Sequence, residues 1–314
     1  MLLSWRTSII LSMPSIISVK NLRKTYRKLV AVDDISFEVA EGEIFGLLGP
    51  NGAGKTTAVE CLQGLRNYDS GNVHVLGLDP RQDAQALRRR IGSQLQESAL
   101  PDRIKVWEAL DLFASVAPEA MDWHTLLEQW GLAEKSKASF GNLSGGQRQR
   151  LFIALALVNN PSVVFLDEMT TGLDPAARRV AWELIRAIRD RGTTVVLVTH
   201  FMDEAEHLCD RLAIVDRGKI IAADTPRGLI SRHTSEMRVI FTTERTDLPW
   251  LEKVPGVKEV TLRGNRVEIE GDGPLLVLVA AALVEHGILP ADLRVEQPTL
   301  EDVFLKLTGH AAGD

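Results

Sequence analysis

Apolar and polar positions change rhythm along the chain. From Ile16 to about Thr225, short apolar runs alternate with longer amphipathic stretches. "IFGLLG" enters a glycine-rich loop, and "SVVFLD" and "TTVVLVTH" are β-branched apolar runs that end on polar residues. Runs of this kind belong to strands covered on both faces, as in a parallel sheet. Between the last two, "DPAARRVAWELIRAIRDRG" predicts a crossover helix, with Asp174 as cap, Pro175 at the first helical position and Gly192 as stop. The pattern predicts an α/β core whose ligands bind at the carboxyl ends of the strands.

Two segments break this rhythm. From Lys105 to Ala138, "VWEALDLFASVA" and "WHTLLEQWGL" carry a helical period with little strand between them. They predict a helical insertion packed internally by Trp107, Trp123 and Trp130. After Pro226 the order becomes β, α, β, β, α, β, with Gly264-Asn265 at the turn of the central hairpin. That is the order of a ferredoxin-like split βαβ domain, here closed by the helix "TLEDVFLKLTG". The expected organisation is a disordered or alternative-start extension over 1–14, an α/β domain over 15–228 with a helical subdomain at about 97–160, and an α+β accessory domain over 229–314.

Composition narrows the class. The 314 residues are 45% hydrophobic and 25% charged, as in a soluble globular protein long enough for two domains. A formal net charge of -6 argues against a general nucleic-acid binder. Cys61 and Cys209 sit in no metal or redox spacing and read as reduced packing residues. The most apolar run, "PLLVLVAAALVEHGIL", is interrupted by Glu285 and His286 and falls short of the ~20 residues that a membrane helix needs. At the start, "MLLSWRTSIILSMPSII" contains Pro14 and no clean small-residue cleavage site, which argues against a signal peptide and leaves Met13 as an alternative start.

Candidate chemistry begins at Gly49, Pro50, Asn51, Gly52, Ala53, Gly54, Lys55 and Thr56, which read G-x-x-x-x-G-K-[ST] between a strand and a helix, with Thr57 next in line. Glycines let the backbone wrap phosphates, so that amides and the helix N-terminus face the anion. Lys55 would reach the β and γ phosphates, and Thr56 would hold Mg²⁺. Asp167 suits a water-mediated contact to Mg²⁺, and Glu168 beside it can take a proton from the attacking water. Two acids at a strand end are commonly a solvated terminus; the upstream phosphate loop is what gives them a role. His200 ends the next strand, where it could contact the γ-phosphate or serve structure alone. Gln96 in "IGSQLQES" could contact Mg²⁺ and the water, with Gln94 as its rival. Finally, Ser144 and Gln147 in "NLSGGQRQR" form a capping-box pattern ahead of an apolar stripe of Leu151, Ala154, Leu155 and Val158. Ser144, Gly145 and Gly146 are either a good helix start or an anion site, and the residues alone leave both open.

In this order the motifs resemble the nucleotide-binding subunit of ATP-binding cassette (ABC) transporters. The likeness runs from "ISVKNLRKTY" to "IVDRGKIIAADTP" and takes in the phosphate loop, Gln96, "LSGGQ", Leu166 to Glu168, Leu173-Asp174 and His200. The resemblance implies ATP and Mg²⁺ as ligands and Tyr26 stacked on adenine. It implies a homodimer, or a pair with a related cassette, joined head to tail. Ser144, Gly145, Gly146 and Gln147 of one copy would then serve the nucleotide held by the other, with Asp174 in the dimer loop. The ending "PTLEDVFLKLTG" is similar to the ATPase subunits of ABC-2-type exporters of the daunorubicin and polyketide-antibiotic resistance kind. That implies a separate transmembrane permease, whose coupling helix docks beside Gln96 and the helical insertion, and a cytoplasmic protein peripheral on the inner face of the membrane. Met169 departs from the proline usual after the two acids, which implies altered loop stiffness. A soluble ABC-type ATPase of translation or DNA repair is the alternative from another class. Relatives there carry tandem cassettes or long coiled-coil insertions, which this chain lacks, and no nucleic-acid partner is expected. An importer subunit would more often carry a different β-rich tail.

Overall fold

The computed structural model describes residues 15–94, 99–117, 119–233 and 237–309. The predicted 1–14 extension lies outside them. The described residues form two compact units that divide between Pro226 and Arg227.

In the first unit, β3 (Ile44–Leu48), β5 (Ile91–Gln94), β6 (Val163–Asp167), β7 (Thr194–Thr199) and β8 (Arg211–Asp216) run parallel. With β9 (Lys219–Asp224) antiparallel on β8, they form a six-stranded sheet in the order β5-β6-β7-β3-β8-β9. Every residue of β3, β6 and β7 is buried, which is why these strands read as unbroken apolar runs. A second, antiparallel sheet stands beside the parallel one and was not legible in the chain's pattern. It consists of β1 (Ser15–Tyr26), β2 (Leu29–Ala40) and β4 (Ser70–Val75), in the order β2-β1-β4. One core joins the two sheets: Ile17, Val19 and Ile35 share it with Phe165 and Val196, and the rings of Phe37 and Phe45 stack 5.2 Å apart.

Helices α1 (Lys55–Leu62), α2 (Ala84–Arg88), α6 (Pro175–Asp190) and α7 (Met202–Leu208) accompany the sheets. The insertion is helical as expected, with α3 (Val106–Val116), α4 (Trp123–Gln129) and α5 (Gly145–Leu157). Trp130 is buried inside it, whereas Trp107 and Trp123 meet at 6.4 Å only half-buried. Helix α5 is seated on the sheet edge. A Cβ on Gly92 would stand 2.0 Å from the Ala156 carbonyl, and the Asn159 amide donates to the Ile91 carbonyl at 2.9 Å.

The second unit contains α8 (Pro226–His233), β10 (Met237–Thr242), β11 (Val257–Arg263), β12 (Arg266–Gly271), α9 (Leu275–Glu285), β13 (Arg294–Glu296) and α10 (Leu300–Thr308). Its antiparallel sheet has the order β11-β12-β10-β13, which is the ferredoxin-like arrangement. Gly264 and Asn265 make the hairpin turn between Arg263 and Arg266. The first connection differs from expectation: "LPWLEKV" forms a 3-10 turn over Pro249–Lys253, because little chain separates Pro249 from the left-handed Gly256 at φ 88°. Helix α9 packs Leu275, Val279 and Leu283 against Val239, Phe241, Val267 and Ile269. Helix α10 is capped by a Thr299–Asp302 box and tied to β10 through an Arg238–Asp302 ion pair. Among the described residues, no helix is long and apolar enough to cross a membrane.

Candidate nucleotide site

The loop between β3 and α1 is shaped by glycines wedged against neighbouring backbone. A Cβ on Gly49 would stand 2.1 Å from the Val215 carbonyl, and one on Gly54 (φ 98°) 2.1 Å from the Ala31 carbonyl. Only glycine fits at either place. Gly218 adds a hydrogen bond from its amide to the Ala53 carbonyl at 2.9 Å. The loop is therefore held between the ends of β2 and β8, and the first-turn amides of α1 open into it. Lys55, only 4% exposed, folds back so that Nζ donates to the carbonyls of Gly49 at 2.7 Å and Pro50 at 2.9 Å. Burial pulls its pKa down, opposed by the charges of Glu168 and Asp167.

The two acids close the carboxyl end of β6. Asp167 is 2% exposed, its Oδ1 is buried without a hydrogen-bond partner among the described residues, and the Thr56 hydroxyl lies beside the carboxylate. Burial pushes its pKa up to about 6, partly offset by the Thr56 hydrogen bond. Glu168 sits in the left-handed region at φ 47°, a conformation that costs a non-glycine residue energy and here is held by a hydrogen bond from its amide to the Val198 carbonyl at 2.9 Å. That backbone aims its Oε1 to within 3.2 Å of His200 Nδ1, a close approach off the line of a hydrogen bond. His200 directly follows β7, which lies between β6 and β3 in the sheet, so Lys55, Asp167, Glu168 and His200 come from neighbouring strand ends. Met169 is buried in the turn that the Thr171 amide closes on the Glu168 carbonyl at 3.1 Å.

Among the described residues no group of three or more His, Cys, Asp or Glu side chains could hold a metal ion. Thr56 and Asp167 nevertheless present two oxygens, one of them buried and orphaned. That set fits Mg²⁺, which takes few protein ligands and completes its shell with phosphate and water.

Ser144 caps α5: its hydroxyl accepts from the Gln147 amide at 3.3 Å, and Gln147 Oε1 accepts from the Ser144 amide at 3.0 Å. Nothing lies within 4 Å of a Cβ placed on Gly145 or Gly146, so this helix start faces open space. Asp174 Oδ1 caps α6 by accepting from the amides of Ala176 and Ala177, both at 2.9 Å. Tyr26 ends β1 half-buried, with Lys24 at 5.2 Å and Arg66 at 5.7 Å from its ring centre. Gln96 lies outside the described residues; its rival Gln94 is the buried last residue of β5, paired with Leu166. Cys61 and Cys209 are both free and buried, in keeping with packing roles.

Two further residues went unread in the sequence. Glu204 is fully buried and accepts from Trp182 Nε1 at 3.2 Å, with Thr199 and Thr170 beside it, so it links α6, the end of β7 and the turn after Glu168. Between Asp203 and Glu206 it looks like part of a solvated helix face. Arg148 donates to the carbonyls of Leu143 at 3.1 Å and Gly141 at 2.9 Å, fixing the segment that leads into Ser144. Its only trace in the sequence is the basic pair in "QRQR".

Residues 32–171 match the ABC transporter family. The chain is 37% identical over 301 residues to daunorubicin resistance ATP-binding protein DrrA2 of Streptomyces coeruleorubidus, covering 92% of this chain and 94% of that protein. It is 40% identical over 307 residues to Nod factor export ATP-binding protein I of Burkholderia thailandensis, covering 95% and 98%. Among solved structures, a dimeric bacterial ABC transporter cassette matches at a TM-score of 0.59 and 27% identity, covering 67% of this chain and 98% of that one. The ATP-binding subunit of an ABC transporter matches at 0.63 and 26%, covering 69% and 93%.

Proposed function

The chain belongs to the ABC transporter family, and from that premise we propose that it is the ATP-binding and ATP-hydrolysing subunit of an exporter whose membrane-crossing part is a separate polypeptide. The observation that carries this reading is the convergence of Lys55, Thr56, Asp167, Glu168 and His200 at neighbouring strand ends of one parallel sheet.

ATP lies with its phosphates on the amides between Gly49 and Thr57 and its adenine on Tyr26. Lys55 turns from the carbonyls of Gly49 and Pro50 to the β and γ phosphates. Thr56 and Asp167 would hold Mg²⁺, with Gln96 or its rival Gln94 as a further candidate ligand, and the ion would neutralise phosphate charge. Glu168 takes the proton of the attacking water while His200 keeps the carboxylate and the γ-phosphate in register. Ser144, Gly145, Gly146 and Gln147 of a second copy close the site from the far side, with the loop at Asp174 alongside, so hydrolysis removes the bridge that joins the copies. The dimeric form of a related cassette supports this pairing.

Export, rather than another use of the ATPase, is supported by the names of the two relatives, one for daunorubicin resistance and one for Nod factor export. A drug, antibiotic or lipid-like compound is the cargo class. The permease meets the subunit at the inner membrane face, in a groove of about 540 Å³ between β5, α3 and α5 lined by Phe113, Val116 and Phe152 with Arg88 and Arg89.

Mixing Lys55→Ala with Ser144→Arg chains tests the shared site. Each variant alone is inactive, whereas mixed dimers contain one intact site, so an equal mixture recovers about a quarter of the wild-type rate by simple statistics of pairing. Two affinity tags confirm that mixed dimers have formed. Isolated mixed dimers without ATPase activity overturn the arrangement.

A further inference from the structure

Helix α9 has two apolar faces, and only one is used. Leu275, Val279 and Leu283 are buried in the core of the second unit. The opposite face carries Val277, Ala281 and Val284, with Val277 67% and Val284 62% exposed. No charged side chain occurs between Leu275 and Val284. An apolar stripe of this kind on a soluble unit marks a contact surface. The two ends of α9 differ in their polar groups. The N-cap, Pro274, provides no side-chain hydrogen bond and the first turn has no acidic residue, while Glu285 stands exposed at the other end.

We propose that this face is covered by α9 of a second copy of the chain, running antiparallel across a two-fold axis. An axis passing between Ala280 and Ala281 places Val277 against the partner's Val284 and Ala280 against the partner's Ala281. Each contact occurs twice, as a two-fold interface requires. The small side chains at the crossing allow the helices to approach at the short end of the ~8–10 Å range. The partner's Glu285 falls at the uncapped, positive end of α9, and the reciprocal contact does the same, which is the charge complementarity that selects the antiparallel register. A lipid surface fits less well. From Leu275 to Leu293 there is no lysine or arginine to meet anionic headgroups, and Glu285 would be repelled by them.

The test uses the full chain without nucleotide, so its failure leaves the ATP-dependent head-to-tail pairing standing. Sedimentation velocity is expected to show a reversible dimer. Val277→Glu and Val284→Glu, both at exposed positions that leave the thermal melt unchanged, each raise its dissociation constant by ~100-fold or more, because two buried carboxylates are set in an apolar seam. Glu285→Lys weakens it by a factor of about 3–10, through two lost helix-end contacts. Ala281→Cys cross-links the copies on mild oxidation, whereas Leu262→Cys, 43% exposed on β11, does not. A monomer at ~50 µM, a range in which even weak specific dimers populate, overturns the proposal. So does a dimer that ignores both glutamate variants. Flotation of the wild-type chain, but not of Val277→Glu, with phosphatidylglycerol vesicles reassigns the face to lipid and also overturns it.

Discussion

Asp167 is an acid whose burial disfavours its charged form, and Asp167→Asn isolates that penalty. In the folded chain its pKa rises from 3.8 to about 6. A raised carboxylate pKa means that folding favours the protonated form, so stability from this group is intact below the unfolded value and is lost as pH rises through the folded one. With about 1.4 kcal/mol per pKa unit, the full loss above pH 7 is about 3 kcal/mol, of which about 1.6 is already lost at pH 5. Asparagine keeps the shape and removes the charge. Measured by calorimetry without nucleotide or divalent cation, the variant is expected to be more stable than wild type, with an advantage that grows by about 1.4 kcal/mol between pH 5 and pH 8. For a unit of this size that growth is a melting-temperature difference of about 3–6 °C. A difference independent of pH, or one that shrinks toward pH 8, refutes the reasoning. A variant that keeps wild-type tightening of nucleotide binding by Mg²⁺ refutes the cation role.

Glu168→Gln preserves size and removes the proton acceptor; single-turnover hydrolysis should slow by ~10²–10⁴ while nucleotide affinity, titrated by fluorescence, changes less than about threefold. Gly54→Ala forces a Cβ onto the Ala31 carbonyl and should weaken ATP binding by ~30-fold or more, whereas Gly52→Ala, with positive φ but open space around it, should lose less than about tenfold. Asp174→Ala removes the acceptor for two amides and should lower stability by about 1 kcal/mol, read as a drop of about 2–4 °C in melting temperature.

The parallel core, the phosphate loop and the caps at Ser144 and Asp174 were legible because each is local: a strand run, a glycine spacing or a cap box lies within a few neighbouring residues. The hairpin of β1 and β2 was not, since pairing over twelve-residue strands depends on register rather than composition. Glu204 was hidden for a different reason. Its burial is decided by Trp182 on another helix, and the acidic residues around it give the period of a solvated face. The shortened "LPWLEKV" turn shows the reverse failure, in which a helical period lacks the length to sustain a helix.

Lys55 bonds to the carbonyls of the loop it serves, which gives that loop an internal rival for every anion that enters. In the proposed site, binding is an exchange of acceptors, and its strength is the difference between phosphate and two backbone oxygens. A triphosphate with several contacts wins that exchange readily, but a lone orthophosphate with few does not. The same arrangement works in reverse after hydrolysis: as phosphate departs, the ammonium group falls back on Gly49 and Pro50 instead of holding the product. On the proposed function, the turn that captures ATP is thereby also a latch that resets itself.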